Sequence, residues 1–320
     1  MMNKPRAIIY GIGEQYKLKE YFLKLKFDII GYSDKNDKVA IDNYIQPSKL
    51  REYDFEYIYV TSNKYYNEIK NELTKNYLID EAMIIGEKDT CWYIDNSIKR
   101  DEWVISKLRE IPKGKVLLDA GAGEMPYKKY CNHLKYISQD FGKYDTCENI
   151  EALQLNTWNS SKADIISDII DIPLEDNSVD VILCTEVFEH IKNPILAIKE
   201  FKRVCRKNGT LLLTAPFCSL THMAPYYFAN GFSKYWYNEI LNDFGFHIVE
   251  MTPNGNYFDY LRQELLRLPY MVKRYCHDIE ETKINDMITS SLMALEYFSK
   301  KDKKSDEVLC FGYMIVAKKN

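Results

Sequence analysis

Short apolar runs alternate along this chain with longer stretches in which apolar residues recur every third or fourth position, a pattern that predicts strands alternating with helices. Ala7, Ile8, Ile9 and Tyr10 form a first run that meets Gly11 and Gly13, followed by a helical pattern over 14–25 and a second run over 28–34 that ends in Asp34. Residues 57–61 predict another strand, 65–75 another helix, and 83–85 a last short strand. A helix over 98–109 precedes a break at Ile111, Pro112, Lys113 and Gly114. A second series then opens: strands at 116–118, 136–138 and 181–184, a helix with Ile195, Ile198, Phe201 and Val204 on one face, a strand at 210–214 and an apolar finish over 310–317. Such alternation builds sheets whose faces are covered by helices. The expected organisation is a small α/β domain over 1–88, a helical linker over 89–112, and a larger α/β domain over 113–320 with a helical insertion at 256–307.

Chemistry concentrates where the strand at Val116 meets Asp119, Ala120, Gly121 and Gly123. Two glycines let the backbone turn sharply at the carboxyl end of a central strand, which is where open α/β sheets bind ligands. About 20 residues on, the next run ends in Gln139 and Asp140, a carboxylate placed to accept from ribose hydroxyls. Glu124, Met125 and Pro126 follow Gly123, so the third glycine of a dinucleotide cradle is missing. A nucleoside cofactor without phosphates fits better.

The stretch from Gly121 to Tyr127 reads GxGxxPY, that from Asp171 to Asp180 reads DxPLxDxSxD, and a Glu189-His190 pair and a Lys207-Asn208-Gly209 turn follow in order. Together these resemble the class I S-adenosylmethionine-dependent methyltransferases, type 11-like, in the branch that accompanies surface-polysaccharide synthesis. The resemblance is close over 113–255. It implies a Rossmann-like methyltransferase fold, a seven-stranded sheet with an antiparallel last strand, and S-adenosylmethionine as cofactor. It further implies that Asp140 binds the ribose, that Asp168 binds the adenine amino group with Ile169 beside the ring, and that Thr185 and Glu186 edge the cofactor. Ala120 to Gly123 would approach the methionine portion, with Asp119 accepting from its amine. Asp171 competes with Asp168 for the adenine. Methyl transfer from a sulfonium is an in-line displacement that mainly demands alignment, so no metal is expected.

The acceptor end is read from histidines and aromatics. His190 and His222 follow the strands at 181–184 and 210–214, and either imidazole suits removal of a hydroxyl proton. A structural part for His190, fixing its loop, is equally open. Tyr226, Tyr227, Trp236 and Tyr257 are the candidate substrate contacts, because aromatic faces with polar handles suit a sugar. They suit a phenol or quinone as well. The chain has 26 tyrosines, so most of them serve packing and surface.

Composition narrows partners. A net charge of −4 over 320 residues, without a basic stripe, argues against nucleic acid; the resemblance and the aromatics instead imply a small-molecule substrate, a sugar or nucleotide sugar. No run reaches the roughly 18 apolar residues of a membrane span, from which a cytoplasmic location is expected. The 8 cysteines lack metal-binding spacing and read as reduced packing residues. In the first domain, Gly11, Gly13 and Asp34 resemble a nucleotide pocket, with Tyr16 where a third glycine would stand; a fold kept for packing or homo-oligomerisation is the even alternative. In the insertion, Leu261, Leu265, Leu268 and Met271 share a helical face flanked by Arg262, Arg267, Lys273 and Arg274. A cover over the sheet or site mouth is the expected role, and a helix lying on a membrane is the second reading. The main rivals to a sugar O-methyltransferase are methylation of a small aromatic or lipid-like acceptor and an inactive cofactor-binding scaffold.

Overall fold

The structure is a computed structural model that describes residues 4–36, 41–90, 94, 96–144, 153, 162–276 and 281–320. The chain forms two compact units, one of Met1–Ile94 with Leu261–Lys301 and one of Asp95–Tyr260 with Asp302–Asn320.

In the first unit, β1 (Arg6–Tyr10), α1 (Glu14–Lys26), β2 (Asp28–Ser33), β3 (Tyr57–Val60), α2 (Tyr66–Asn76) and β4 (Ile84–Ile85) build a parallel sheet in the order β2-β1-β3-β4. Alternate side chains of β1 enter different cores, as the two-residue period of a strand requires. Ile8 and Tyr10 pack with Ile58, Val60 and, from α2, Leu73. Ala7 and Ile9 pack with Tyr59, Leu23 and Phe27. Ile288 and Leu292 complete that second core, with Leu265, Leu266 and Leu268 packed against it.

These last residues correct the expected domain plan. A parallel sheet must be covered on both faces, and the segment from 261 to 301 helps cover one face of this sheet. The apolar row at Leu265 and Leu268 packs into the first unit's core, so the insertion does not belong to the second domain. Among the described residues, no helix is long and apolar enough to cross a membrane.

The second unit begins with α3 (Asn96–Glu110), continues through β5 (Val116–Ala120), β6 (Lys135–Asp140), β7 (Ile165–Ile166), β8 (Val179–Thr185), α4 (Pro194–Val204), β9 (Cys205–Pro216), α5 (Lys234–Asp243) and β10 (Phe246–Asn254), passes into α6 (Tyr257–Tyr275) and, after α7 (Glu281–Lys301), ends with β11 (Gly312–Lys319). Its sheet runs β10-β11-β9-β8-β5-β6-β7, with β11 antiparallel to both neighbours and the other described pairings parallel. This is the Rossmann-like α/β arrangement of the class I methyltransferases. Strand order reverses between β5 and β8, and a crevice opens there at the carboxyl edge.

Each face has its own core. On one, Val104 and Leu108 of α3 pack with Leu117, Val181, Leu183 and Leu212. On the other, Ala197, Ile198, Phe201 and Val204 of α4 and Tyr237 and Leu241 of α5 pack with Leu118, Ile182, Cys184 and Leu213. The predicted linker helix is therefore a covering layer of this unit, since Val104 and Leu108 are fully buried.

Tyr257 N donates to Ser305 Oγ at 3.3 Å, which brings the departing and returning ends of the second unit's chain together. Residues 95–260 joined through a short Gly/Ser linker to 302–320 are expected to express as a folded protein. Simple removal of residues 1–88 is expected to give insoluble product, because Leu265, Leu268, Ile288 and Leu292 lose the sheet that buries them. Circular dichroism and gel filtration of the two versions decide between these outcomes.

Candidate active site

A cavity of about 650 Å³ opens at the carboxyl edge of the second unit's sheet. Residues following β5, β6, β7, β8 and β9 all line it, as expected at a topological switch point.

One wall is the turn after β5. Gly121 stands at φ +75°, and a Cβ there would lie 2.5 Å from Val187 Cγ2, so only glycine fits without displacement. The Gly121 and Ala122 amides both donate to Gln139 O at 2.9 Å. Gly123 N donates to Asp140 Oδ2 at 2.9 Å, while Gly142 N donates to Asp140 Oδ1 at 3.0 Å. Gly121 and Asp140 thus line the cavity side by side, with the turn held by the same carboxylate the sequence singles out for ribose.

Asp168, Ile169, Thr185 and Glu186 also line the cavity, whereas Asp171 is not part of the lining. Asp168 uses one oxygen to receive Ile170 N at 3.2 Å, a local turn bond. Glu186 has φ +53° and accepts from Thr214 Oγ1 at 2.9 Å. Its other oxygen lies 3.2 Å from Arg100 Nη1. Burial works against the charge of Arg100, but Glu186, Tyr127 and Asp101 outweigh it and hold the guanidinium protonated. Arg100 was not singled out from the sequence. Its signal was present, since it lies four and eight residues before the buried Val104 and Leu108 and so shares their helix face.

Asp119, Ala120 and Gly123 are placed beneath or beside the turn and are not in the lining. Asp119 is 1 % exposed and accepts from Tyr136 Oη at 2.5 Å. Burial pushes its carboxyl up to about 7; the Tyr136 bond opposes this, and Asp140 adds to it. Gln139 was also missed: it is buried, and its Nε2 donates to Ser167 O at 2.7 Å.

The opposite wall carries Glu189, His190, His222, Ser219, Tyr226 and Phe228. The two imidazoles meet edge to face with centroids 4.7 Å apart. His190 Nδ1 lies 2.6 Å from Tyr226 O, and His222 Nδ1 lies 2.8 Å from Leu220 O. A carbonyl only accepts, so both Nδ1 atoms carry the proton and both Nε2 atoms keep a lone pair in the neutral rings. Burial lowers His190 to about 4; its bond to Tyr226 opposes the shift and His222 reinforces it. Glu189 is 1 % exposed, and burial together with Glu186 drives its carboxyl well above the usual range, against the opposing pull of Arg100.

Of the aromatic candidates, only Tyr226 lines the cavity. Tyr227 Oη donates to Ser219 O at 2.6 Å beside the histidines. Trp236 packs on Phe188 and Phe232 against the core, and Tyr257 begins α6 against Phe258. Trp236 and Tyr257 are thus placed outside the cavity lining, with ring neighbours at Phe188, Phe232 and Phe258.

Residues 118–213 match the family model of a methyltransferase domain, and residues 3–85 match one described as C2185-like, N-terminal. No curated protein matches the chain. Among solved structures, the chain is similar to a candidate sarcosine dimethylglycine methyltransferase from Galdieria sulphuraria at 15% identity, with 70% of this chain and 86% of that one covered and a TM-score of 0.41. The cyclase SpnF gives 15% identity, coverage of 69% and 80%, and a TM-score of 0.41. Geranyl diphosphate C-methyltransferase from Streptomyces coelicolor A3(2) gives 11%, coverage of 70% and 80%, and 0.38. Likeness at this level says nothing of the reaction this chain performs. With the matched domain and this sheet order, the second unit is a class I methyltransferase domain. The cofactor of this domain is S-adenosylmethionine.

Asp119 supplies a test of the site's electrostatics. Its carboxyl, ordinarily near 3.8, is raised to about 7 in the fold, so the native state holds a proton that the unfolded chain releases between those values. Stability is therefore greatest below the lower value and is lost as pH rises through the upper one. Asp119→Asn is expected to raise the melting temperature at about pH 8 and leave it nearly unchanged at about pH 4, as thermal unfolding in matched buffers can show.

Proposed function

We propose that the second unit transfers the methyl group of S-adenosylmethionine to a hydroxyl of a sugar or glycan precursor in surface-polysaccharide synthesis. One observation carries the reading: a single cavity has Gly121, Asp140, Asp168 and Ile169 at one wall and the His190–His222 pair at the other. The first group suits the nucleoside, with Asp140 accepting from ribose, Asp168 from the adenine amine and Ile169 against the ring. Asp119 acts on the methionine amine from below the turn, and Thr185 and Glu186 edge the cofactor. The paired imidazoles suit the acceptor, where a hydroxyl loses its proton as its oxygen attacks the methyl carbon. Ser219, Tyr226 and Tyr227 offer polar handles there.

An aromatic or lipid-like acceptor has one observation in its favour. Phe141 and Tyr144 meet the Tyr226 ring at 5.4 and 6.2 Å, and Met223 and Phe228 extend that apolar wall. For the first unit, buried Tyr16 stands where a third glycine would bring the helix close to phosphates, which supports a packing role over a nucleotide pocket.

Calorimetry is expected to show S-adenosylmethionine and S-adenosylhomocysteine binding at micromolar affinity, without NADH binding. Asp140→Ala should weaken that binding by about tenfold or more, since it removes a charged acceptor and the clamp on Gly123. Unchanged affinity would remove Asp140 from the ribose site. His222→Ala should cut turnover about a hundredfold or more while cofactor affinity stays within about twofold. Transfer of labelled methyl to nucleotide sugars, against catechols and prenyl phosphates as comparison acceptors, separates the two acceptor readings.

A further inference from the structure

The acceptor wall holds an arrangement that proton transfer alone does not explain. Glu189 Oε1 lies 3.7 Å from His190 Nε2 and 3.9 Å from His222 Nε2. A hydrogen-bonded carboxylate and imidazole sit about 2.7–3.0 Å apart, so the three groups converge without bonding to one another. Glu189 Oε2 is buried and finds no hydrogen-bond partner among the described residues. A buried, unpartnered carboxylate oxygen is costly unless something else occupies the space beside it. Both Nε2 lone pairs face this carboxylate, because both Nδ1 protons are committed to backbone carbonyls. That commitment is the outer-sphere support metal-binding histidines use: a carbonyl fixes the tautomer and the ring orientation.

We propose that Glu189, His190 and His222 bind a divalent transition-metal ion. The three donor atoms lie within 4.8 Å of one another. Donors each about 2.1 Å from a metal stand roughly 3.0–3.4 Å apart, so closure by about half an ångström at the two carboxylate–imidazole pairs, and by up to about 1.5 Å between the imidazoles, completes the site. One carboxylate with two imidazoles is a donor set for zinc-like, iron-like or manganese-like ions and leaves coordination positions open. All three residues line the cavity, so the open positions face the acceptor space. The contacts come from distant parts of the chain: Glu189 and His190 lie in a short 3-10 turn after β8, and His222 lies in the loop after β9.

The proposal deepens the methyltransferase reading and rests on it for its chemistry. An acceptor hydroxyl bound to the ion is acidified and releases its proton to solvent. The oxygen then forms a bond to the methyl carbon while the carbon–sulfur bond breaks and its electron pair returns to sulfur, leaving a neutral thioether. The histidines in the loaded site are ligands rather than bases. The favoured acceptor carries two neighbouring oxygens, such as a vicinal diol of a sugar, because both can reach one ion.

The test is titration of the chelator-treated full chain with Co2+ alone, followed by visible absorbance, with Zn2+ as competitor and Mg2+ as the weak comparison. The expected result is one saturable equivalent with ligand-field bands, displaced by Zn2+. Glu189→Gln and His222→Asn should each weaken Co2+ binding by about tenfold or more while S-adenosylmethionine affinity stays within about threefold, which shows that the variants are folded. Absence of saturable binding, or binding equal in both variants and the parent, overturns the proposal. Where one variant loses cofactor binding as well, the other decides. Failure of S-adenosylmethionine to bind with Co2+ binding intact would remove the methyltransferase reading and leave the metal site standing.

Discussion

A carboxylate at the end of one strand holding the amides of a turn at the end of its neighbour is the contact on which the active site depends. In the second unit Asp140 closes β6 and receives Gly123 N, fixing the turn that leaves β5. The first unit repeats the device: Asp34, just past β2, receives Ile12 N at 2.8 Å from the turn after β1. The bond does two things. It satisfies an amide that the strand ladder has abandoned, and it keeps the turn folded back so that space remains above the sheet edge. In the second unit that space is the cavity. In the first, the ring of Tyr16 is buried against the core at the corresponding helix.

Acidic groups gather around the cavity. Asp119, Glu186 and Glu189 lie near it, and Arg100 is paired to Glu186. Burial pushes Asp119 and Glu189 toward their neutral forms, which limits the negative charge that these groups bring together.

Much of this was legible in the chain. Apolar runs at 116–118, 136–138, 181–184 and 210–214 coincide with β5, β6, β8 and β9, because buried parallel strands need continuous apolar sequence. Gly121 and Asp140 stood out because positive φ and an acceptor at a strand end leave marks in sequence. What could not be read was which surface covers which. The apolar face of α6 was visible, but a helical stripe does not say what it packs on, and its partner lies some 250 residues earlier in β1 and α1. Trp236 and Tyr226 look alike in sequence, and only the fold sends one to the core and the other to the cavity. Glu189 was legible only as half of a Glu-His pair that could fix its loop, because nothing in the sequence says that His222 is brought against it.

The excursion of residues 261–301 into the first unit bears on the order in which the protein can be made. The amino-terminal sheet emerges first from the ribosome, yet Ile288 and Leu292, which bury one of its faces, follow about 280 residues later. At about 5–20 residues per second, that face waits tens of seconds for its cover. The second sheet is completed later still, because β11 must enter between β9 and β10 and follows both in the chain. Residues 288–319 complete both units, so the two sheets close almost together once that segment has been made, and the nascent chain needs shielding of an open sheet until then.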